Sequence, residues 1–524
     1  MLVSDYILKF LYQKKVKDVF LLTGGAASFI VDAFSKQNKI SYTCVGHEQS
    51  SAMMADAYSR VGPNFAATLS SSGPGGTNLI TGIACSWFDS VPVLHITGNV
   101  NTYEQIGAQK GTKGVRQIGF QETDIVSIVK PITKYAVRIK KSSEIQYQLE
   151  KASRIAVSGR PGPVLVDIPM DIQHQKIILK KNIFIKMKKI KKAMINNNIR
   201  KIHNLVKLIH NSKRPVLLIG GGVRNSNTTK ELKKIIHQLN MPIVATWSGV
   251  DGVAHKEKNY IGTIGVYGTR SANLVVQNSD LLISLGSRLD TRVTGGKPET
   301  FAKNAKVVAI DIDKNELSKK RGLNLNTSIN LDLRIFFPIL NKILYKKRKY
   351  KFNYRWTDWV SLSKEWMIKY PIIQKKYYLQ KNYVNPYVFF DKLSKVLKNT
   401  DIIIGSTGSH LTWTLQSFKL KEGQRLFSAF GNSPMGYALP ASIGACIALG
   451  RKKRIICIDG DGSLQINVQE LQTIFLNKLP IKLIVINNMG YGIIKQFKEL
   501  YLDTKPDHSW KGISNPNFKD LAFA

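Results

Sequence analysis

Cysteine is scarce in this 524-residue chain, and the four that occur are Cys44, Cys85, Cys446 and Cys457. They lie among apolar residues and form no C-x-x-C pair, so we expect four buried small hydrophobic side chains, with neither a disulfide framework nor a zinc site. Long hydrophobic runs are also lacking, because the stretch 436–450 is too short and too broken by glycine and proline to span a bilayer. The opening residues do not read as a signal peptide. These absences favour a cytoplasmic protein outside the membrane.

Acidic residues are also few, since 35 Asp and Glu stand against 77 Lys and Arg and leave a net charge of +42. Such a charge would suit nucleic acid or an anionic membrane surface as a partner. However, the excess is scattered through stretches such as 180–192 and 346–351, without an aromatic-interleaved basic stripe or a helix-turn-helix pattern. We therefore expect a solvated basic surface with no specific nucleic-acid or membrane partner.

Three blocks of the chain alternate short β-branched runs with amphipathic stretches, which is the pattern of parallel α/β units. We predict an α/β protein with three doubly wound parallel-sheet domains at 1–174, 195–345 and 370–524, joined by lysine-rich connectors at 176–192 and 345–381. The predicted strands are 19–22, 41–45, 66–70, 93–97 and 164–168, then 216–219, 243–245, 281–285 and 307–312, then 402–404, 455–458 and 482–486.

The most informative segment runs from 455 to 494, where one buried strand ends in a GDG turn at 460–462 and a second ends in an Asn pair at 487–488. The carboxyl ends of adjacent parallel strands form the ligand-binding edge of an open α/β sheet, so we expect the two turns to meet there. Asp461, Asn488 and the carbonyl of Gly490 offer hard oxygen ligands for Mg²⁺. A helix that opens at Ser463 would point its N–H groups at a phosphate. The pattern indicates a diphosphate held through Mg²⁺, and two unrelated turns are the alternative.

The GDG turn, followed after 24 residues by the Asn pair, resembles the diphosphate-binding signature of thiamine-diphosphate-dependent enzymes. Other segments resemble the large subunit of acetolactate synthase (acetohydroxyacid synthase), and together they cover nearly the whole chain. The resemblance implies a pyrimidine-binding domain, a central Rossmann-like domain and a diphosphate-binding domain, in that order. The segments are SSGPGGTNLITGI, GFQETDIV, GRPGPVLVDIPMD, RPVLLIGGGV, GSRLDTRVTG and NNMGYGIIKQF.

The resemblance implies one carboxylate that activates the coenzyme, and it assigns this role to Glu48 in VGHEQSSAMMADAYSR. Taken alone, Glu48 is better read as a helix-start carboxylate stabilised by the helix dipole. Met435 is implied as the apolar support under the bent coenzyme, with plain core packing as the alternative. The coenzyme would bridge two subunits, which implies a homodimer or homotetramer. The other residues implied for thiamine diphosphate are Ser409, His410, Gly460, Asp461, Gly462, Ser463, Asn488, Gly490, Tyr491, Gly492 and Ile493.

The resemblance implies that the enzyme decarboxylates pyruvate and transfers the acetyl unit to a second 2-ketoacid. Phe120, Gln121 and the turn at Gly25 would shape the acceptor site. The loop 101–120 departs from the usual acetolactate synthase pattern and resembles related enzymes that add an acetyl unit to a keto sugar in deoxysugar pathways. The acceptor therefore stays open between a 2-ketoacid and a keto sugar. An inactive basic scaffold or nucleic-acid-binding protein is the alternative of another class, and the retained Glu48 speaks against it.

The central block carries only a weak nucleotide signal of its own, three glycines after a strand at 220–222, without G-x-G-x-x-G. Its segments GSRLDTRVTG and VVAIDID resemble the FAD contacts of acetolactate synthase. Arginine can pair with a flavin diphosphate and an acid at a strand end can bind ribose, whereas loop salt bridges are the alternative. The resemblance also raises a regulatory small subunit as a partner. The residues implied for FAD are Gly221, Gly222, Arg288, Asp290, Arg292 and Asp311.

Overall fold

The computed structural model describes the chain except residues 64, 181–182, 184, 186–191, 348–351 and 503–511. Its N-terminal part forms a six-stranded parallel sheet with the order β2-β1-β3-β4-β6-β5. The five predicted strands of this block are confirmed to within two residues, and the half-buried β5 was missed. The strands are β1 (Asp18–Leu21), β2 (Ser41–Cys44), β3 (Ala66–Ser70), β4 (Val93–Asn99), β5 (Tyr135–Arg138) and β6 (Val164–Pro169).

Helices cover both faces of this first sheet, as the alternating pattern predicts. Their apolar sides and the fully buried β3, β4 and β6 form the core of this part. The helices are α1 (Val3–Gln13), α2 (Ser28–Ser35), α3 (Glu48–Val61), α4 (Pro74–Thr77), α5 (Ile80–Asp89), α6 (Ile125–Val129), α7 (Ile145–Val157) and α8 (Met170–Gln173).

The central part forms a second six-stranded parallel sheet with the order β12-β11-β10-β7-β8-β9. All four predicted strands are present, whereas β9 and the half-buried edge strand β12 were missed. The strands are β7 (Pro215–Ile219), β8 (Ile243–Ala245), β9 (Tyr260–Thr263), β10 (Leu281–Leu285), β11 (Lys306–Asp311) and β12 (Thr327–Asn330). The helices are α9 (Lys192–Asn211), α10 (Gly222–Asn225), α11 (Thr229–Leu239), α12 (Arg270–Gln277), α13 (Thr291–Thr294), α14 (Lys314–Ser318), α15 (Leu333–Lys346), α16 (Phe352–Arg355), α17 (Thr357–Lys369) and α18 (Pro386–Val396).

In the last part of the chain, three predicted strands pair in parallel in the order β13-β15-β16. The short strand β14 was missed. The predicted α/β class with parallel sheets is thereby confirmed. The strands are β13 (Ile402–Gly405), β14 (Arg425–Phe427), β15 (Ile455–Gly460) and β16 (Ile481–Ile486), and the helices are α19 (Ser409–Ser417), α20 (Ala438–Ala448), α21 (Asp461–Leu464), α22 (Glu470–Leu476), α23 (Gly492–Tyr501) and α24 (Phe518–Phe523).

The chain divides into two compact units. The first joins Met1–Met187 with Ile402–Ser409 and Ser428–Ala524, and the second holds Lys188–Asp401 and His410–Phe427. Of the predicted third block, 402–409 and 428–524 therefore fold with the first block, whereas 370–401 and 410–427 belong to the second unit. Within the part of the chain that the structure describes, no helix is long and apolar enough to cross a membrane.

Two sequence-based expectations about local structure were wrong. Cys44 is exposed, because it lies on β2 at the edge of the first sheet, where one face has no covering layer. The stretch 345–381 is more than a connector, since tryptophans in α17 and directly before it pack on the central core. Trp356 and Trp359 are buried and donate their indole N–H groups to the carbonyls of Ser212 and Pro215 at 3.0 and 3.1 Å. The other proposed connector, 176–192, falls largely outside the described residues.

Helices α3 and α20 approach each other so closely that one glycine has no space for a side chain. A Cβ atom on Gly444 would lie 2.0 Å from the carbonyl oxygen of Met54, which belongs to the backbone of α3. Since backbone atoms cannot yield without moving the helix, Gly444→Ala should destabilise this unit by about 1–3 kcal/mol. Differential scanning calorimetry should record this as a lower transition temperature.

Gly296→Ala is the matched control, because a Cβ at Gly296 has no neighbour within 4 Å. This variant should be neutral or stabilised by up to about 1 kcal/mol, since alanine restricts the unfolded chain. An equal loss in both variants would show that the close approach of α3 and α20 contributes nothing to stability.

Candidate active site

The two turns of the predicted diphosphate signature lie at the same edge of the third sheet. Strands β15 and β16 pair in parallel up to Gly460 and Ile486, so the GDG turn and the Asn pair follow neighbouring strand ends. This confirms the geometric expectation. The short helix α21 begins at Asp461 rather than at Ser463, since the chain turns directly after Gly460.

Asp461 joins the two turns through its carboxylate, which is only 3% exposed. Its Oδ1 accepts from the N–H of Gly462 at 2.9 Å, and its Oδ2 accepts from the N–H of Gly490 at 3.1 Å. The amide of Asn515 donates to the same Oδ2 at 2.8 Å. These three donors are all neutral amides, so the buried negative charge keeps the capacity to bind a cation.

Side chains pack so closely against Gly492 and Gly462 that a Cβ atom at either position would need a neighbouring side chain to move. A Cβ on Gly492 would lie 2.6 Å from Asn488 Nδ2 and 2.9 Å from Ser409 Oγ. A Cβ on Gly462 would lie 2.5 Å from the ring of Tyr491. The structure thus brings these five predicted residues together. Two others lie next to them in the chain, since Ile493 is in the first turn of α23 and the buried His410 is in the first turn of α19.

The segment that contains Met435 is bonded directly to the GDG region. Ser463 Oγ accepts from the N–H of Gly436 at 2.9 Å and donates to Ser406 Oγ at 2.7 Å. The amide of Asn467 donates to the carbonyl of Gly436 at 2.7 Å. Met435 itself is only partly buried, so its side chain is not fully used in core packing. Sequence reasoning missed Ser406 and Asn467, because neither belongs to a recognisable motif.

Glu48 lies at the first position of α3 and is 7% exposed. The side chain of His47 caps this helix by accepting from the N–H of Gln49. Glu48 Oε2 accepts from the amide of Asn78 at 2.9 Å, and a Cβ on Gly75 would lie 3.6 Å from Oε1. The carboxylate therefore faces the loop SSGPGGTN, which leaves room beside it because Gly75 has no side chain. Asn78 was missed as a site residue although it lies within a quoted motif.

The turn that precedes Glu48 is held by a second buried glutamate of the same compact unit. Glu470 is fully buried on α22, where Oε1 accepts from the N–H of Gly46 at 3.0 Å and Oε2 accepts from the hydroxyl of Thr473 at 2.8 Å. Ser50 Oγ donates to Asn467 Oδ1 at 3.2 Å. Burial raises the pKa of Glu470, and its hydrogen bonds only partly oppose this. Sequence reasoning did not single out Glu470.

The residues predicted for the acceptor site lie on an exposed loop. Phe120 is 85% exposed, and the left-handed Gln121 packs against Gly73, where a Cβ would lie 2.9 Å from Gln121 Cβ. Glu122 closes the loop, because its two carboxylate oxygens accept from the N–H groups of Ile106 and Ile118 at 2.7 and 3.0 Å. These hydrogen bonds therefore hold the loop in a defined conformation.

The turn at Gly25 is also fixed from several sides. The N–H of Ala26 donates to Ser71 Oγ at 3.3 Å, and the buried Gln173 donates from Nε2 to the carbonyl of Ala26 at 2.7 Å. Gly25 itself is exposed, and a Cβ there would have no neighbour within 4 Å. The surface of this turn is thus open to a ligand while its backbone is held in place.

In the second unit, the glycine-rich turn after β7 packs against the segment after β10. The N–H of Gly222 donates to the carbonyl of Gly286 at 2.9 Å, and a Cβ on Gly222 would lie 2.8 Å from Gly286 Cα. A Cβ on Gly221 would lie 3.1 Å from Ser248 Cβ. These glycines are needed for the close approach of protein backbone, whether or not a ligand also binds there.

The charged residues predicted for FAD differ in what they contact. Asp290 caps α13 by accepting from the N–H of Arg292, and its other oxygen pairs with Arg288 at 3.1 Å. The guanidinium of Arg292 stacks over the indole of Trp247 at 4.7 Å. Asp311 ends β11 and accepts from the N–H of Asp313. The predicted alternative of a loop ion pair accounts for Arg288 and Asp290, whereas Arg292 and Asp311 lie at the carboxyl edge of the sheet.

Sequence models of thiamine pyrophosphate enzymes match three stretches of the chain. The N-terminal TPP binding domain matches residues 1–128, the central domain matches 202–335 and the C-terminal TPP binding domain matches 406–524. The fold and these matches define the class of protein, a thiamine pyrophosphate-dependent enzyme.

Several curated proteins similar to this chain are acetolactate synthases. The chain is 34% identical over 522 residues to the large subunit of Cyanidium caldarium, covering 98% of this chain and 86% of that one. It is 31% identical over 524 residues to the large subunit of Buchnera aphidicola (99% and 87%) and 33% identical to acetolactate synthase 2, chloroplastic, of Nicotiana tabacum (98% and 74%). The chain belongs to the acetolactate-synthase-like thiamine pyrophosphate enzymes, which confirms the predicted family and an activity of the transferase, carboligase type.

The buried Glu470, which bonds to Gly46, is expected to make the stability of this unit depend on pH. Because burial raises the pKa of Glu470, its ionisation costs stability as the pH rises above the ordinary glutamate range, about 4.3. Glu470→Gln keeps an oxygen for the N–H of Gly46 and carries no charge. The transition temperature of this variant should therefore rise relative to wild type between about pH 4 and neutrality, as measured by scanning calorimetry.

Glu470→Ala removes both acceptors and should be destabilised by about 1–3 kcal/mol at every pH, because the buried N–H of Gly46 loses its partner. Glu499→Ala is the control, since Glu499 is exposed on α23. A Gln variant whose difference from wild type does not change with pH would contradict this interpretation of Glu470.

Proposed function

We propose that this chain is a thiamine-diphosphate- and Mg²⁺-dependent acetolactate synthase, which decarboxylates pyruvate and transfers the acetyl unit to a second 2-ketoacid in branched-chain amino acid biosynthesis. The observation that carries the proposal is the bonding of Asp461 to both the GDG turn and Gly490 at one sheet edge, in a chain of this family. A 2-ketoacid is small and anionic, which suits the fixed, open turn at Gly25. We further propose that the protein acts in the cytoplasm.

The donor set at the sheet edge fits Mg²⁺. Asp461 provides one buried anionic oxygen, Asn488 an exposed neutral one, and Gly490 a backbone carbonyl. Hard oxygen ligands of this kind, few in number, leave octahedral positions for phosphate oxygens and water. Among the described residues, the hydrogen-bond donors to Asp461 are three neutral amides and no cation pairs with its charge, which favours a bound cation.

The same edge fits the diphosphate of the coenzyme. We expect the backbone at Gly460, Gly462, Ser463 and Gly492 to approach the diphosphate, with Ser409, Tyr491 and Ile493 beside it. His410, the remaining predicted residue, directly follows Ser409 in the chain. Bound thiamine diphosphate supplies the nucleophilic carbon and the electron sink for decarboxylation of a 2-ketoacid. Met435 would support the coenzyme from its partly buried position.

Glu48 would hold a proton at its carboxylate and share it with the pyrimidine end of the coenzyme. Asn78 orients this carboxylate by donating to Oε2, and Glu470 positions the turn before it. Gln121 and the turn at Gly25 would orient the acceptor carbonyl, while Phe120 would cover it and exclude water. Excluding water matters because protonation competes with transfer to the acceptor.

We propose that two copies of the chain form the enzyme, because the coenzyme of this family is implied to bridge the first domain of one subunit and the third domain of the other. Exposed apolar side chains on α22 and α23 support an interface with the second copy. Phe475, Leu476, Leu500 and Tyr501 are 77, 73, 65 and 71% exposed in the single chain. A contiguous patch of exposed apolar side chains marks an interaction site. A tetramer and a regulatory small subunit are further expectations that mass photometry would test.

We propose FAD for the central domain, held by the backbone at Gly221 and Gly222 and by Arg292 and Asp311, with Arg288 and Asp290 stabilising the loop between them. The arrangement fits a dinucleotide, because the turn after β7 and the acid at the end of β11 lie at the carboxyl edge of the sheet, where such ligands bind. A flavin absorption spectrum of the purified protein tests the proposal.

A second candidate acceptor, a nucleotide-linked keto sugar, is favoured by the loop 101–120. Three glycines with positive φ extend this loop, and it exposes Lys110, Lys113 and Arg116 close in sequence to Phe120. A larger anionic acceptor would suit such a surface.

The metal assignment predicts a specific binding result. In isothermal titration of wild type with thiamine diphosphate, Mg²⁺ should raise the affinity at least about tenfold, since it neutralises charge on the diphosphate. Asp461→Ala should lose this dependence on Mg²⁺. The control Asp32→Ala, on an exposed helix position, should behave as wild type. Equal affinities for wild type and Asp461→Ala, with and without the metal, would exclude the assignment.

The acceptor is decided by product analysis. Incubation with pyruvate alone should release CO₂ and form 2-acetolactate, detected by mass spectrometry. CO₂ release without acetolactate would favour the keto sugar. No coenzyme-dependent CO₂ release, together with salt-sensitive DNA binding, would favour the basic scaffold.

A further inference from the structure

The carboxyl edge of the central sheet gathers segments that follow three of its strands. The turn after β7 bonds to the segment after β10 through Gly222 and Gly286, and Lys319 donates from Nζ to the carbonyl of Arg288 at 2.5 Å. Arg321 also contacts the segment after β10, because its Nη1 donates to Thr294 Oγ1 at 3.1 Å. Arg321 therefore lies at the edge where open α/β sheets bind nucleotides.

Two of the three guanidinium nitrogens of Arg321 have no partner among the described residues. Nε and Nη2 are both buried, while Nη1 alone is bonded. Burial lowers the pKa of Arg321 although two carboxylates nearby oppose it. Leaving such donors buried without an acceptor costs stability, and the cost is larger for a charged group. A charged group in this state points to an absent acceptor.

The nearby carboxylates do not supply that acceptor, because they are already engaged. Asp290 accepts from the N–H of Arg292 and pairs with Arg288 at 3.1 Å. Glu316 pairs with Lys319. The nearby acids are thus engaged with other groups, and among the described residues Nε and Nη2 of Arg321 have no acceptor.

The two unpartnered nitrogens of Arg321 can bind two oxygens of one group at the same time. Nε and Nη2 are the side-on fork of an arginine, and Arg334 of this chain uses that fork on Asp332, with Nε 3.1 Å from each oxygen. The fork matches two oxygens of one carboxylate or phosphate. A ligand for Arg321 therefore needs two oxygens on one negatively charged group.

We propose that Arg321 binds the phosphate group of a nucleotide held at the carboxyl edge of the central sheet. The inference rests on the proposed dinucleotide site of this domain and adds a residue outside the motifs that suggested it. The phosphate belongs either to the diphosphate of FAD or to a free adenine nucleotide such as ADP, since both present the same oxygens to the fork.

Isothermal titration with ADP and with FAD tests the proposal on the full chain. Arg321→Gln should weaken binding at least tenfold, whereas the neighbouring exposed Lys320→Gln, which removes the same charge, should stay within twofold of wild type. Arg321→Lys keeps the charge without the fork and should also bind weakly. Weakening for FAD alone identifies the flavin diphosphate, and weakening for both shows that an adenine nucleotide phosphate is sufficient.

Thermal unfolding separates a ligand-binding role from a structural one. Arg321→Met removes the unpartnered charge and should raise the transition temperature of the ligand-free protein while it lowers nucleotide affinity, whereas loss of a structural arginine would lower that temperature. Unchanged affinity in Arg321→Gln, or a wild type that binds neither ADP nor FAD, overturns the inference. If Mg²⁺-dependent binding of thiamine diphosphate persists in that case, the proposed enzymatic function stands without it.

Discussion

A buried ion-pair network in the first unit joins two of the segments proposed for the coenzyme, the helix of Glu48 and the segment of Met435. Arg60 on α3 contacts Asp56 at 2.6 Å and Asp89 at 2.8 Å, and the hydroxyl of Tyr437 donates to Asp56 at 2.5 Å. Asp89 also accepts from the N–H groups of Phe430 and Gly431. Removing one partner would leave a buried charge uncompensated, so these charges hold together only as a complete set. Through them, the helix of Glu48 and the segment of Met435 keep one relative position.

The site itself combines close backbone packing with polar groups that stay available for a ligand. Gly462 and Gly492 allow turns to approach. Among the described residues, Asp461 keeps a negative charge bonded only to neutral amides, and Arg321 in the other unit has two buried nitrogens without an acceptor. These two charged features cost stability in the ligand-free protein, because a buried charge prefers a partner. A bound metal or phosphate would supply that partner, so ligand binding and folding stability are coupled here.

Sequence reasoning found the buried central strands, since β7, β10 and β15 are mostly apolar and β3 and β4 are rich in apolar and β-branched residues. It missed β5, β9, β12 and β14, which are only three or four residues long. Three of them, β5, β12 and β14, are also partly exposed, so their apolar signal is weak, whereas β9 is buried and was missed because it is short and contains glycine. It also missed the packing role of Trp356, because charged residues surround it in sequence. The predicted motif residues Asp461 and Asn488 do lie at one sheet edge, whereas Asn467, Glu470 and Asn515 escaped notice.

The sequence by itself determined the class of fold, the family and the order of the motifs, because apolar periodicity and short motifs are local properties of the chain. The tertiary structure alone decided which distant groups meet, such as Glu470 with Gly46 across 424 positions. It also decided which predicted residues are committed elsewhere, as Asp290 is to its helix cap. Hydrogen bonds depend on distance and direction in space, and no local pattern encodes a partner hundreds of residues away.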